Sequence, residues 1–303
     1  MICRIICFIF FCFSCQVKSF DPFSGTTSKM LTITNNEFNN RSTGDTRLLV
    51  QNEKMVIADF HGGVVALLSL REEQVVGTLT LPEITFGSLG MAVLNDGSVA
   101  VGGESENRCF IFILDVSGDE PVITRNVSTP AHLDNGVTAN GPQDKMALVT
   151  NDGKLTVVSL DDGTEEQLTD GLEVSVRQSA TRHGDNLYIS NWFGLDIVNL
   201  NDGQRTSNIG SLDLSTMANM SFGQTAFDPA GNMYVGAAGT MCDEDADPPC
   251  VLVISPGGTW RKLVDGPEGT DPQGIAVTSS GFVVTWSKTT PRIQTELEIY
   301  DIL

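Results

Sequence analysis

The chain has 303 residues, 41% of them hydrophobic, with 38 acidic against 18 basic side chains and a formal charge of −20. That hydrophobic content excludes a disordered chain, and the charge excludes phosphate-rich partners such as nucleic acid or anionic lipid surfaces. Length alone suggests two domains, but closed all-β folds reach this size as one.

The chain opens with a short basic segment, Met1 to Arg4, then an unbroken apolar run from Ile5 to Cys15, with small residues at Ser14 and Ser19. This is the pattern of a signal peptide over 1–19, which leaves a single domain over 20–303 and predicts a secreted protein. The run is shorter than the roughly 20 apolar residues a membrane span requires, and no later segment approaches that length. Removing the leader takes Arg4 and Lys18 with it and moves the charge from −20 to −22.

Of the seven cysteines, Cys3, Cys7, Cys12 and Cys15 fall in the leader. Cys242 and Cys250 bracket a short loop that a disulfide would close in an oxidising compartment. Cys109, followed by apolar Phe110 to Leu114, then reads as a buried free thiol. Three glycosylation sequons begin at Asn40, Asn126 and Asn219.

From residue 45 onward the chain repeats one plan: a small or polar lead residue, an alternating strand, a turn rich in Asp, Asn and Gly, a second strand, then a third. Asp45, Gly90, Asn135, Gln178, Gln224 and Gln273 are equivalent lead residues, spaced by 45, 45, 43, 46 and 49. Examples are Asn95-Asp96-Gly97 between Leu89–Leu94 and Val99–Val101, and Asp228-Pro-Ala-Gly-Asn232 before Met233-Tyr-Val. Third strands are predicted at 64–70, 110–114, 155–160, 195–200, 251–255 and 297–300. A period in the mid-forties is that of a propeller blade. The last copy stops after its third strand, and Met30 to Thr34 precedes the first, so this early strand is expected to close the ring. The expected fold is an all-β six-bladed β-propeller closed by an N-terminal strand.

Candidate site residues follow from that architecture. The lead residues should meet around the mouth of the central channel. Asp45, Asn135, Gln178, Gln224 and Gln273 there offer mostly uncharged donors and acceptors, and Arg177 adds one cation able to grip a carboxylate. The alternative for the amides is hydrogen bonding to neighbouring loops and buried water. His132 with Asp134 is the one acid–base pair near a lead residue. His61 and His183 precede glycines in turns. The run Asp243, Glu244, Asp245, Asp247 offers clustered carboxylates for a hard cation, or simply a solvated loop. Trp192, Trp260 and Trp286 fall in or beside strands and are expected to pack between blades.

The blade pattern, with phrases such as Asn135-Gly-Val, Phe227-Asp-Pro-Ala-Gly-Asn-Met-Tyr-Val and Val253-Ile-Ser-Pro-Gly-Gly, resembles the SMP-30/gluconolactonase-like six-bladed propellers. The resemblance covers most of the chain beyond the leader. It implies a divalent cation held by a Glu, an Asn and an Asp, with an Asp as base in lactone hydrolysis. Gly44-Asp45 looks like the first ligand segment with a shorter acid, and Asn135-Gly like the second. Arg177-Gln178 stands where the resemblance implies an Asp-Gly, which removes a ligand and puts a positive charge beside the position. The chain is also similar, at the level of its blades, to fungal secreted propellers that catalyse pericyclic steps such as hetero-Diels–Alder ring closure. Those reactions need a shaped cavity with a few polar groups.

Three functions therefore stand side by side. The first is a secreted binding protein that takes a small polar or neutral organic ligand at the channel mouth, or a basic partner on its acidic face, and requires no cofactor. The second is a metal-dependent hydrolase using Asp45 and Asn135, with Ca2+ as the cofactor. The third is a metal-free enzyme of secondary metabolism acting through cavity shape.

Overall fold

The computed structural model describes residues 21–34, 46–51, 53–59, 63–82, 86–105, 108–129, 137–141, 145–150, 152–172, 179–191, 194–217, 220–238, 248–288 and 294–302. These are strands and turns, with one short 3-10 turn, Leu214–Met217, and no α-helix among them. Strand β1 (Thr27–Thr34) leads. Blade 1 follows as β2 (Thr46–Gln51), β3 (Lys54–Asp59), β4 (Val64–Ser69) and β5 (Gln74–Thr80), and blade 2 as β6 (Phe86–Val93), β7 (Val99–Ser105), β8 (Arg108–Asp115) and β9 (Val122–Thr129). Blade 3 comprises β10 (Val137–Asn140), β11 (Lys145–Val149), β12 (Leu155–Ser159) and β13 (Glu165–Thr169). Blade 4 comprises β14 (Ser179–His183), β15 (Asn186–Asn191), β16 (Gly194–Asn199) and the two-residue β17 (Arg205–Thr206), after which a small hairpin, β18 (Asn208–Ile209) and β19 (Leu212–Asp213), is inserted. Blade 5 is β20 (Ser221–Phe227), β21 (Met233–Ala238), β22 (Cys250–Ile254) and β23 (Trp260–Asp265); β24 (Asp271–Val277), β25 (Gly281–Lys288) and β26 (Gln294–Ile302) make blade 6 with β1 as its fourth strand.

The first strands of the blades touch in circular order, β2 to β6, β10, β14, β20, β24 and back to β2. The protein is a six-bladed β-propeller, as its repeat predicts.

Six apolar clusters hold the ring, one at each seam between blades. Val56, Ala58, Val65 and Leu67 of blade 1 meet Val99, Val101, Phe112 and Leu114 of blade 2. The intervening residues Met55, Ile57, Ala66 and Leu68 point the other way and meet Ala276, Val283 and Leu297 of blade 6. Successive strand residues face opposite sides, so a blade buried on both faces needs near-continuous apolar second and third strands. Turns lock neighbours together: Gly163, at φ 74°, follows β12 and lies on the backbone of β9, where a Cβ would come within 2.8 Å of the Ser128 carbonyl. Only glycine combines that φ with that approach.

Closure is made by β1, which pairs antiparallel with β26 from Thr27 opposite Ile302 to Thr34 opposite Glu296. A buried carboxylate fastens it. Glu298 Oε2 accepts hydrogen bonds from Trp286 Nε1 at 2.8 Å and from the Tyr300 hydroxyl at 2.5 Å, while Oε1 pairs with Lys29 of β1. Trp286 is fully buried there, as expected. Trp260 departs from expectation: it sits on the outermost strand of blade 5 and is 40% exposed, since a fourth strand has no neighbouring strand to cover it.

Candidate functional site: the central channel

Each inner strand is paired on one side only, so its free ladder edge faces the channel axis. All six run in the same sense along that axis. Their first residues define one end, the mouth, and their last residues the far end. Three of these strands carry a register shift, between Phe86 and Gly90, Phe222 and Thr225, and Pro272 and Ile275. Such bulges re-aim a side chain that a regular strand would send to a seam.

Gln224 lies in one of these bulges, and its amide spans from blade 5 to blade 1. Its Oε1 accepts from Leu48 N at 2.8 Å and Ile275 N at 3.4 Å, and its Nε2 donates to Leu48 O at 2.7 Å. The side chain thus pairs with the free edge of β2 as another strand would. Gly274, in the next bulge, has no room for a Cβ, which would stand 2.9 Å from both Leu48 Cγ and Thr285 Oγ1. In its place the Thr285 hydroxyl accepts from Gly274 N at 2.7 Å and shares a 2.7 Å hydrogen bond with Thr46 Oγ1. Together these contacts tie the inner strands of blades 5, 6 and 1 to one another part-way along the channel.

On the mouth side of these contacts, Arg47, Ser179, Ser221, Phe222, Gly223, Asp271, Pro272 and Gln273 surround a residual space of about 10 Å³. Arg47 is 6% exposed and donates through Nη1 to Thr46 O at 3.0 Å. Gln273 is 5% exposed. On the far side an open cavity of about 340 Å³ is bounded by the last residues of β2, β6, β14, β20 and β24, among them Leu48, Met91, Arg182, His183, Phe227 and Ile275. His183 stacks on Phe227 with ring centroids 4.3 Å apart, and Tyr188 tilts against the same ring at 4.7 Å. Arg182 donates through Nε to Gly184 O at 2.8 Å and through Nη1 to Gly141 O of blade 3.

Of the residues expected at the mouth, Gln224 and Gln273 are described, and both stand inside their strands rather than in leading loops. Asp45, Asn135, Arg177, Gln178, His132 and Asp134 lie outside the described residues, as do His61, Trp192, Cys242, Asn40, Asn219 and the run Asp243 to Asp247. Sequence reasoning does not single out Arg47 or Asp271. The available signal is Arg47 itself, the sole charge in Thr46-Arg-Leu-Leu-Val-Gln51. Cys109 is a buried free thiol whose titration is pushed far up by burial, with Glu104 adding to it. Cys250 is buried at the start of β22, and Asn126 is exposed on β9. Among the described residues no three His, Cys, Asp or Glu side chains gather as a metal site, and no helix is long and apolar enough to cross a membrane.

No protein-family model and no curated protein matches the chain in sequence. Solved structures do match in shape. A structural-genomics protein of unknown function from Bacteroides thetaiotaomicron superposes with a TM-score of 0.61 at 12% identity, over 92% of this chain and 76% of the other. A luciferin-regenerating enzyme gives 0.58 at 10% identity, over 89% and 95%. A protein from Thermus thermophilus assigned as an oxidoreductase (glucose dehydrogenase) gives 0.55 at 14% identity, over 89% and 100%. At these identities the likeness is one of fold.

Proposed function

We propose that this chain is an exported binding propeller that takes a small, polar, neutral or anionic organic ligand at the mouth of its channel, without a resident metal ion. The observation that carries this reading is the mouth floor. Four inner strands bring Arg47, Ser179, Ser221, Asp271 and Gln273 together there, and Asp45 and Gln178 adjoin this floor directly in sequence. The Arg47 guanidinium and the Asp271 carboxylate at that place offer donors and acceptors suited to the hydroxyl and carboxylate oxygens of an organic ligand. The SMP-30-like hydrolase reading draws support from the shape of the luciferin-regenerating enzyme and from Asp45 and Asn135, and the pericyclase-type reading from a polar mouth and a separate far-end cavity. Export, the leader over 1–19 and glycosylation belong to the same proposal, supported by the sequence pattern and by the exposure of Asn126 on an outer strand. The Cys242–Cys250 bridge is supported by the short spacing of the two cysteines and by Cys109 being the one free thiol among the described residues.

The test is a thermal-shift screen of the secreted protein against sugar lactones, hydroxy acids and polyols. A ligand of this site should raise the unfolding midpoint of the wild type and lose that effect in Asn135→Ala and in Gln178→Ala, whose unliganded midpoints stay near wild type. Hits that bind both variants unchanged would remove the mouth from consideration.

A further inference from the structure

The far-end cavity stands apart from the mouth in both place and chemistry. Its volume of about 340 Å³ falls in the range of small-molecule sites. The Gln224 bridge to Leu48 lies between it and the mouth floor. Five of the six blades contribute to its wall, so it is a property of the closed ring rather than of one loop.

The lining is unusual for this protein. The chain carries 38 acidic residues and only 18 basic ones, yet no carboxylate stands among the described residues of the wall, which includes Arg182 and His183. Both lie at the last two positions of β14, at the rim. Arg182 is fixed by its bonds to Gly184 O and Gly141 O. Those bonds engage two of the five N–H donors of a guanidinium, a group suited to planar oxyanions. The His183 ring is likewise held flat on Phe227. Beside these two the wall mixes apolar Val50, Met91 and Val93 with polar Gln224 and Thr225. A rim that carries Arg182 beside a wall of mixed apolar and polar side chains suits an amphipathic anion.

We propose that the far-end cavity is a second ligand site, for a small organic anion with an apolar body, an aryl or short-chain alkyl carboxylate. The carboxylate sits at Arg182 and His183, and the apolar body replaces water against Val50, Met91 and Val93. A ligand of this shape gains from both the local positive charge and the buried apolar area, while a neutral isostere loses the first and an amine is repelled.

The experiment compares benzoate and hexanoate with benzyl alcohol and hexylamine, reading the unfolding midpoint of the full secreted chain. At a hundredfold excess over Kd a carboxylate should raise the midpoint by about 5 °C. Benzyl alcohol should give a clearly smaller shift and hexylamine none. Met91→Trp fills the cavity and should abolish the benzoate shift. Arg182→Gln should weaken benzoate binding about tenfold, the scale of one charge-assisted hydrogen bond, and it decides the matter if Met91→Trp melts abnormally without ligand. Asn135→Ala, two residues ahead of β10 in the sequence, should keep the full benzoate shift, so failure of the mouth site and failure of this one are distinguishable. An absent benzoate shift, an equal shift with benzyl alcohol, or a shift that survives Arg182→Gln unchanged overturns the proposal.

Discussion

Gln224 shows how one side chain can set the interior of a channel. A regular β20 would send it to a seam; the bulge at Gly223 and Gln224 sends it across to the free edge of β2, where it satisfies both the N–H and the C=O of Leu48. Leu48 is 1% exposed, so no bulk solvent replaces a lost partner. Gln224→Ala should therefore lower stability by about 1–3 kcal/mol, the cost of leaving buried backbone groups unpaired. The urea midpoint should fall with the m value unchanged, and Gln224→Glu should also destabilise because a carboxylate cannot donate to the Leu48 carbonyl. A Gln224→Ala protein within about 0.5 kcal/mol of wild type, the usual range for surface changes, would mean the bridge contributes nothing. The sequence shows Gln224 as a lead residue but not its direction, because a bulge is a relation between two strands and leaves no local mark.

At the scale of elements, blade 6 is the joint on which the ring depends, since its fourth strand comes from the other end of the chain. Its second and third strands carry Trp286, Glu298 and Tyr300, and β1 brings Lys29 to the same carboxylate. Burial first, and the Glu298 carboxylate second, hold the Tyr300 phenol well above its ordinary 10.0. Tyr234 is raised by burial and then by Asp228, and Tyr188 by burial. For a group whose titration is raised on folding, the folded state binds the proton more tightly. Its contribution is full below pH 10 and is lost as pH climbs through and beyond that value. Stability should thus begin to fall above about pH 10, and tyrosinate absorbance at alkaline pH should appear together with the loss of β-sheet circular dichroism. Three tyrosinates forming near pH 10 in a protein that still gives the folded spectrum would contradict this account of the seams.

The elements themselves are legible in the sequence. Third strands such as Val251–Ser255 and Leu155–Leu160 announce β22 and β12 through short β-branched runs between turn residues, and the missing fourth strand of the last repeat announces the role of β1. Side-chain direction is not legible in strands buried on both faces, because there the period of two that distinguishes inside from outside disappears. That is also why Arg47, an isolated charge in an apolar inner strand, does not stand out.

Over the whole molecule, the contacts of Gln224, Gly274 and Thr285 lie between two recesses of the channel. The mouth has a floor with a buried guanidinium; the far end has a larger cavity with a cationic rim. The far-end cavity is a local exception on a chain of formal charge −20, since a field of that sign draws cations to the surface at large while this place favours anionic groups. The resemblance to metal-dependent propellers and the buried Arg47 lead to opposite expectations for the mouth. The decisive measurement is the thermal unfolding midpoint of the secreted protein in excess calcium and then in excess chelator. A mouth built around Arg47 predicts the same midpoint in both, in wild type and in Asp45→Ala and Asn135→Ala alike. A calcium-dependent rise that the chelator reverses, and that disappears in Asp45→Ala or Asn135→Ala, would contradict it and assign the mouth to a metal-dependent hydrolase.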